Sequence, residues 1–398
     1  MKKIVTTILY ALLEPPFILL FFLCAVIARF VPKSIDIGLG PLPLINNIYH
    51  KAVFKKLGYT AETFVNQVWH ITQEFDIRGD VHPFSKIPFV KNIYTVIWLT
   101  LISLFRYRCI VIYFNGGSLG VTSSLFMWRF EPLLYKVANV KTTVLGYGAD
   151  VQAMSRSPNL AFKHVMSLDY PEHRLKHRNI IDKIDLWSSH GTHVVGGCEW
   201  VDYMHYWDTL MISHFSIDTD LWAPTQQESG NGSFKVFHAP NHRNIKGTQH
   251  VIDAVEELKH EGFDIELLMI EKRPNHEVRA MIETADVIVD QLIIGWYAMF
   301  AIEAMALEKP VICYLREDLK DLYKTAGLLE KDEEIPLISA SALTIKETLR
   351  DLYNKREQLP AIGQNGRDYV MQHHSLDAIA TKFKTIAEQA LSIQKNTA

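Results

Sequence analysis

Cysteine is scarce in this chain. Four residues in 398 (Cys24, Cys109, Cys198 and Cys313) lie far apart and form no CxxC pair, which excludes a disulfide framework and a zinc knuckle. The 17 histidines, His190, His193, His205 and His214 among them, show no ligand spacing, so no metal is expected. Net positive charge is missing as well. With 41 basic against 44 acidic side chains the formal charge is −3, and the chain carries no global footprint for a nucleic-acid partner. A composition 48% hydrophobic and 21% charged is not that of a disordered chain. No short internal repeat is present.

An uninterrupted apolar run of about 20 residues, the length a bilayer-spanning helix needs, is also absent. Residues 4–13 and 17–28 are apolar, but Glu14, Pro15 and Pro16 separate them. Proline kinks a helix and a carboxylate is costly in lipid. Three readings stay open: a kinked spanning anchor, a re-entrant or interfacial pair of short helices, and a cleaved signal peptide. No small-x-small cleavage site supports the last. Lys2, Lys3, Arg29 and Lys33 flank both ends, so charge gives no orientation. A second run, residues 94–105 (YTVIWLTLISLF), is too short to span. It reads either as a core helix or as a helix docked on a bilayer by its basic ends.

The length is that of two ordinary domains. The pattern expects strands at 35–39, 61–65, 109–114, 142–145, 185–189 and 209–212, alternating with helices, hence a parallel sheet covered on both faces. Residues 224–233 (PTQQESGNGS) are polar and aperiodic and mark a linker. A second alternating series follows, with strands at 234–238, 265–270, 287–289 and 310–314, helices at 248–260, 277–284 and 297–307, and a mostly helical tail. The expected organisation is an anchor at 1–33, a Rossmann-like domain at 34–223, the linker, a second Rossmann-like domain at 234–375, and a C-terminal helix at 376–398 packing back toward the first domain.

Two stretches carry chemistry. Residues 238–248 (HAPNHRNIKGT) join a strand to a helix at the carboxyl edge of the second sheet, where open α/β sheets bind ligands. Arg243 and Lys246 beside a helix start suit a diphosphate; a solvated loop is the plainer alternative. Residues 285–312 read strand, loop, helix, strand, with Glu303 inside an otherwise apolar helix. A carboxylate there needs partners. The two hydroxyls of a ribose would supply them, as would a buried basic group.

This constellation resembles the retaining glycosyltransferases of family 4 (group 1), which have the GT-B fold. Residues 295–312 are similar to the family's E-x7-E region and its E-A-M-A-x-G-x-P-V-I run, with Glu303 at the second glutamate. Arg243 and Lys246-Gly247 resemble its diphosphate clamp, residues 217–222 (IDTDLW) its interdomain signature, Gly38 and Gly40 its N-terminal glycine loop, and residues 148–151 (GADV) its turn at the substrate cleft. The chain departs from the pattern at four places. Gly295 stands for the first glutamate, Asn241 for the usual arginine, Tyr147 for the histidine before the turn, and Glu308 for the glycine before the lysine.

The resemblance implies α/β architecture of GT-B type, two Rossmann-like domains facing a central cleft, and retaining transfer of a sugar. The donor would be a UDP- or GDP-linked sugar, with no further cofactor. Its contacts would be Gly38, Gly40, Arg243, Lys246, Gly295, Glu303 and backbone N–H groups near Tyr297 and Met299. Arg243 and Lys246 would stabilise the leaving diphosphate, and Asp150, with Tyr147, would face the acceptor hydroxyl. Asp150 reads equally well as a turn residue bonding its own backbone. With the apolar segments, the expected acceptor is a glycan or lipid-linked glycan at a membrane surface, the catalytic domains facing the cytoplasm. A sugar-nucleotide epimerase of the same architecture and a non-catalytic sugar-nucleotide-binding relative are the alternatives.

Overall fold

The computed structural model describes residues 2–68, 74–82, 84, 86–121, 124–225, 232–271, 273, 275–331 and 334–390. In the first domain the strands are β1 (Ile35–Leu39), β2 (Ala61–Val65), β3 (Ile77–Arg78), β4 (Tyr107–Tyr113), β5 (Lys141–Leu145), β6 (His193–Gly197) and β7 (Thr209–Met211). They form one sheet in the order β3-β2-β1-β4-β5-β6-β7, with every pairing parallel. Their near-continuous burial, as in Cys109, Ile110, Val111 and Ile112 of β4, is what two helical layers require. The second domain holds β8 (Phe234–His238), β9 (Ile265–Met269), β10 (Val287–Val289) and β11 (Val311–Ile312), parallel and ordered β11-β10-β8-β9. Its helix Thr248–His260 buries Val251, Ala254, Val255 and Leu258, the spacing of a single helix face.

The expected strand at 185–189 is instead the end of a helix, His173–His190. Its buried residues Lys183, Ile184, Trp187 and Ser188 repeat with helical rather than alternating spacing. The strand is β6, eight residues on, and its sequence HVVGG is buried throughout. The expected helix at 297–307 begins at Met299, and the strand expected at 310–314 is only Val311–Ile312. Most of the expected linker, residues 226–231, lies outside the described residues, as do residues 391–398.

The N-terminal segment corrects one of its three readings, the pair of short helices. It is a single helix, Lys2–Ala28, that continues through Pro15 and Pro16. Its window Ala11–Ala28 has mean hydropathy 2.3 and is long and apolar enough to cross a membrane. One face of it packs into the first domain's core, where Phe21, Ala25 and Ala28 are at most 1% exposed. Glu14, which lipid would penalise, is buried against protein and accepts from the backbone N–H groups of Leu125, Phe126 (2.8 Å) and Met127 (3.0 Å). The opposite face leaves Leu12, Leu19, Leu23 and Ile27 exposed. The second apolar run lies in the helix Pro88–Phe105, with Leu99 and Leu104 buried.

Near Ile217 the chain crosses between domains. Ile217 N–H donates to His374 O at 2.9 Å, and Ile217 bridges Ser375 in parallel. Past that crossing the helix Leu376–Thr385 lies on the first-domain helix Ile45–Lys56, with Phe383 stacked on Phe54 at 5.3 Å.

Candidate functional site

The two sheets present their carboxyl edges to each other. Asn159, after β5, donates from its amide to the carbonyls of Ile293 (2.8 Å) and Ile294 (3.1 Å), after β10. Tyr323 donates its hydroxyl to Cys198 O at 2.8 Å, and Arg316 holds Asp202, both partners being less than a tenth exposed.

On the second-domain side the loop after β8 is pinned by His238. Its Nδ1–H donates to Val289 O at 2.8 Å and its Nε2 accepts from Thr248 Oγ1 at 2.9 Å, a tautomer assigned from these partners. Burial pushes its pKa down to about 4, so the ring is neutral. The short helix Arg243–Lys246 follows and ends at Gly247, whose φ of +76° is the left-handed cap conformation glycine favours. Two cations therefore project from one turn. Arg243, half-exposed, makes a bidentate pair with Glu271 at 2.9 Å. Lys246 reaches down to Asp290, after β10, at 2.5 Å. The other Asp290 oxygen has no hydrogen-bond partner among the described residues.

Glu303 sits in the helix Met299–Ala306, only 7% exposed, and its charge is felt at Tyr49 of the first domain. The start of that helix has no side-chain cap. Tyr297 turns its phenol away, to Tyr369 (2.8 Å) and His374 Nε2 (3.0 Å). Met299 opens the helix and is partly exposed.

Three glycines read as ligand contacts have packing reasons of their own. A Cβ on Gly38 would lie 2.5 Å from the Tyr107 ring, and one on Gly40 would meet Phe64 O at 1.8 Å. Gly38 is inside β1 rather than in a loop. Gly295 has φ +98°, and the stem of Arg316 fills the space beside it, 2.5 Å from an added Cβ. The space beside Gly295 is thus taken by an arginine spent on Asp202.

On the first-domain side Asp150 is 1% exposed. Its carboxylate accepts from the N–H groups of Phe114 (3.0 Å), Tyr147 (3.0 Å) and Gly148 (3.1 Å). It staples its own turn rather than facing the cleft, and burial raises its pKa to about 7. Tyr147 remains partly exposed, its hydroxyl accepting from Asn115 Nδ2 at 2.9 Å.

Asp169 carried no local signal in the sequence. From the end of the first-domain helix Leu160–Asp169 it accepts from Asn244 Nδ2 (2.5 Å) and from the Ile245 N–H (3.3 Å). A carboxylate of this chain thus rests on the turn that carries Arg243 and Lys246. The beacon for it would have been a carboxylate at the end of a helix facing a basic turn, a relation only the fold creates.

No family model matches the chain, and no curated protein matches it in sequence. Among solved structures it is similar to sucrose-phosphate synthase from Thermosynechococcus elongatus, with TM-score 0.59 and 13% identity over 90% of this chain and 100% of that one. It is also similar to the N-terminal domain of Candida albicans trehalose-6-phosphate phosphatase, with TM-score 0.52 and 10% identity over 91% and 97%. A third is WaaG, a glycosyltransferase involved in lipopolysaccharide biosynthesis, with TM-score 0.49 and 12% identity over 88% and 99%. The fold is α/β of GT-B type, with parallel sheets in two facing domains.

Proposed function

We propose that this chain is a retaining glycosyltransferase of family 4 type, moving a sugar from a UDP- or GDP-linked donor to a glycan or lipid-linked acceptor at a membrane surface. The observation that carries the reading is the pair of cations on one turn, Arg243 and Lys246, at the carboxyl edge that faces the first domain, with Glu303 buried on the next strand–helix unit.

The chemical difficulty is a leaving group that gains charge as the glycosidic bond breaks. Arg243 exchanges Glu271 for phosphate oxygens, and Lys246 turns from Asp290 to share the same charge. Such preorganised donors act without reorganisation when the bond breaks. Backbone N–H groups at the start of the Met299–Ala306 helix add to them. Glu303 accepts from the ribose hydroxyls, where a charge-assisted bond offsets its burial. The bond between the anomeric carbon and the diphosphate oxygen breaks, and the acceptor oxygen bonds that carbon on the same face. The acceptor proton passes to the departing phosphate. On this reading the two cations carry the neutralisation and no metal is called for. Tyr147 lies on the acceptor side, and Asp150 holds the turn that presents it. The N-terminal helix holds the first domain against the bilayer, with both domains on the cytoplasmic side.

A panel of UDP- and GDP-sugars tested by thermal shift checks the reading. One donor at about 100 times its Kd adds about 2.7 kcal/mol to stability and raises the melting temperature. Incubation with that donor and no acceptor leaves its sugar unchanged. A new epimer would point to the epimerase alternative, and no shift with any donor would remove the donor assignment.

A further inference from the structure

A cavity of about 310 Å³ opens between the N-terminal helix and the Pro88–Phe105 helix, away from the nucleotide loop. Its lining is of two kinds. Phe17 and Phe21 from one helix, with Ile93 and Ile97 from the other, make apolar walls. Asn66, Gln67 and Lys91 are among its polar residues. Asn66 directly follows β2, and its N–H donates to Pro41 O at 3.0 Å. At Asn66 the lining therefore abuts the Gly40–Pro41 turn at the carboxyl edge of the first sheet, the edge that faces the second domain.

The gap is built into the packing. Glu14 lines it, and its bonds to the Phe126 and Met127 N–H groups fix the helix where it stands. One wall is thus the helix that is apolar enough to enter a bilayer, with Leu19 and Leu23 turned outward, 74% and 59% exposed. A molecule in this groove would have its hydrocarbon beside the bilayer-facing helix and its head at the sheet edge. The volume lies at the low end for a small-molecule site, about 300–1,000 Å³. It suits one segment of a hydrocarbon chain. Lys91, half-buried, supplies a cation for an anionic head.

We infer that this groove binds the first hydrocarbon segment and the phosphate of a lipid-linked acceptor, presenting the head to the cleft. The fate of the head rests on the glycosyltransferase reading; the binding itself does not. The probe is farnesyl monophosphate carrying a photoreactive group at its hydrocarbon end, added to the full chain in neutral detergent. Labelling maps to the groove walls on both helices. Ile97→Trp, which fills the groove, cuts labelling at least tenfold, while the nucleotide-sugar thermal shift persists. Lys91→Gln, which leaves the apolar packing intact, weakens binding of the phosphate about fivefold and leaves binding of uncharged farnesol unchanged. Labelling confined to the outward face around Leu19 and Leu23, or unchanged by both substitutions, would overturn the groove. Groove labelling without any nucleotide-sugar shift would keep the site and remove the transferase reading instead.

Discussion

The two carboxyl edges that face each other treat polar side chains in opposite ways. On the first domain, two of the buried carboxylates are spent on backbone. Asp150 binds three N–H groups of its surroundings, and Glu131 accepts from Gly117, Leu119 and Gly120 at 2.9–3.2 Å. Both are fully buried, and desolvation raises each pKa to about 7. On the second domain, Arg243 is half-exposed and paired only through side chains, and Lys246 is paired with a carboxylate. Side-chain pairs can be exchanged for ligand oxygens without unfolding a turn; backbone staples cannot. The first edge is therefore shaped by its polar groups, and the second is charged by them.

That contrast predicts a separation of activity from stability. Arg243→Ala and Lys246→Ala each lower turnover at saturating donor about a hundredfold or more. Asp150→Asn leaves turnover of the folded protein within about twofold. A loss in Asp150→Asn as large as in Arg243→Ala would erase the distinction. Next in size is Glu303→Ala. Loss of a charge-assisted bond, about 1.5–3 kcal/mol, raises the nucleotide Kd about 10- to 100-fold by calorimetry. Glu131→Gln lowers the unfolding free energy by about 1–3 kcal/mol in urea, because an amide NH2 takes the place of one of the two oxygens that accept from Gly117, Leu119 and Gly120 and leaves buried N–H groups without an acceptor. The smallest effect is at Glu308, whose φ of +58° is left-handed. Replacing it with glycine relieves about 1 kcal/mol of strain and moves the urea midpoint upward.

Glu308 also shows how much the sequence held. The resemblance leads one to expect glycine there, and the backbone has the left-handed conformation that glycine favours. The second domain was legible because its strands are short apolar runs between clear loop signals. β6 was not, since two of its five residues are glycine, while the preceding helix holds Ile184, Leu186 and Trp187 close together near its end. Gly38 and Gly40 were visible as glycines, but their reason, the Tyr107 ring and Phe64 O, lies on neighbouring strands. The apolar N-terminal segment was plain from composition. Its docking was not, because Glu14 finds its partners more than 110 residues away. Asp169 was hidden for the same reason: its partner turn is 75 residues on in the chain.

The central claim is that the turn bearing Arg243 and Lys246 binds the diphosphate of a sugar donor. Calorimetric titration of the full chain with UDP and GDP, beside UMP and GMP, tests it most directly. The account predicts that one diphosphate binds at least tenfold more tightly than its monophosphate, and that Arg243→Ala abolishes the difference. Equal affinity for mono- and diphosphate, or a preference that survives Arg243→Ala and Lys246→Ala together, would contradict it.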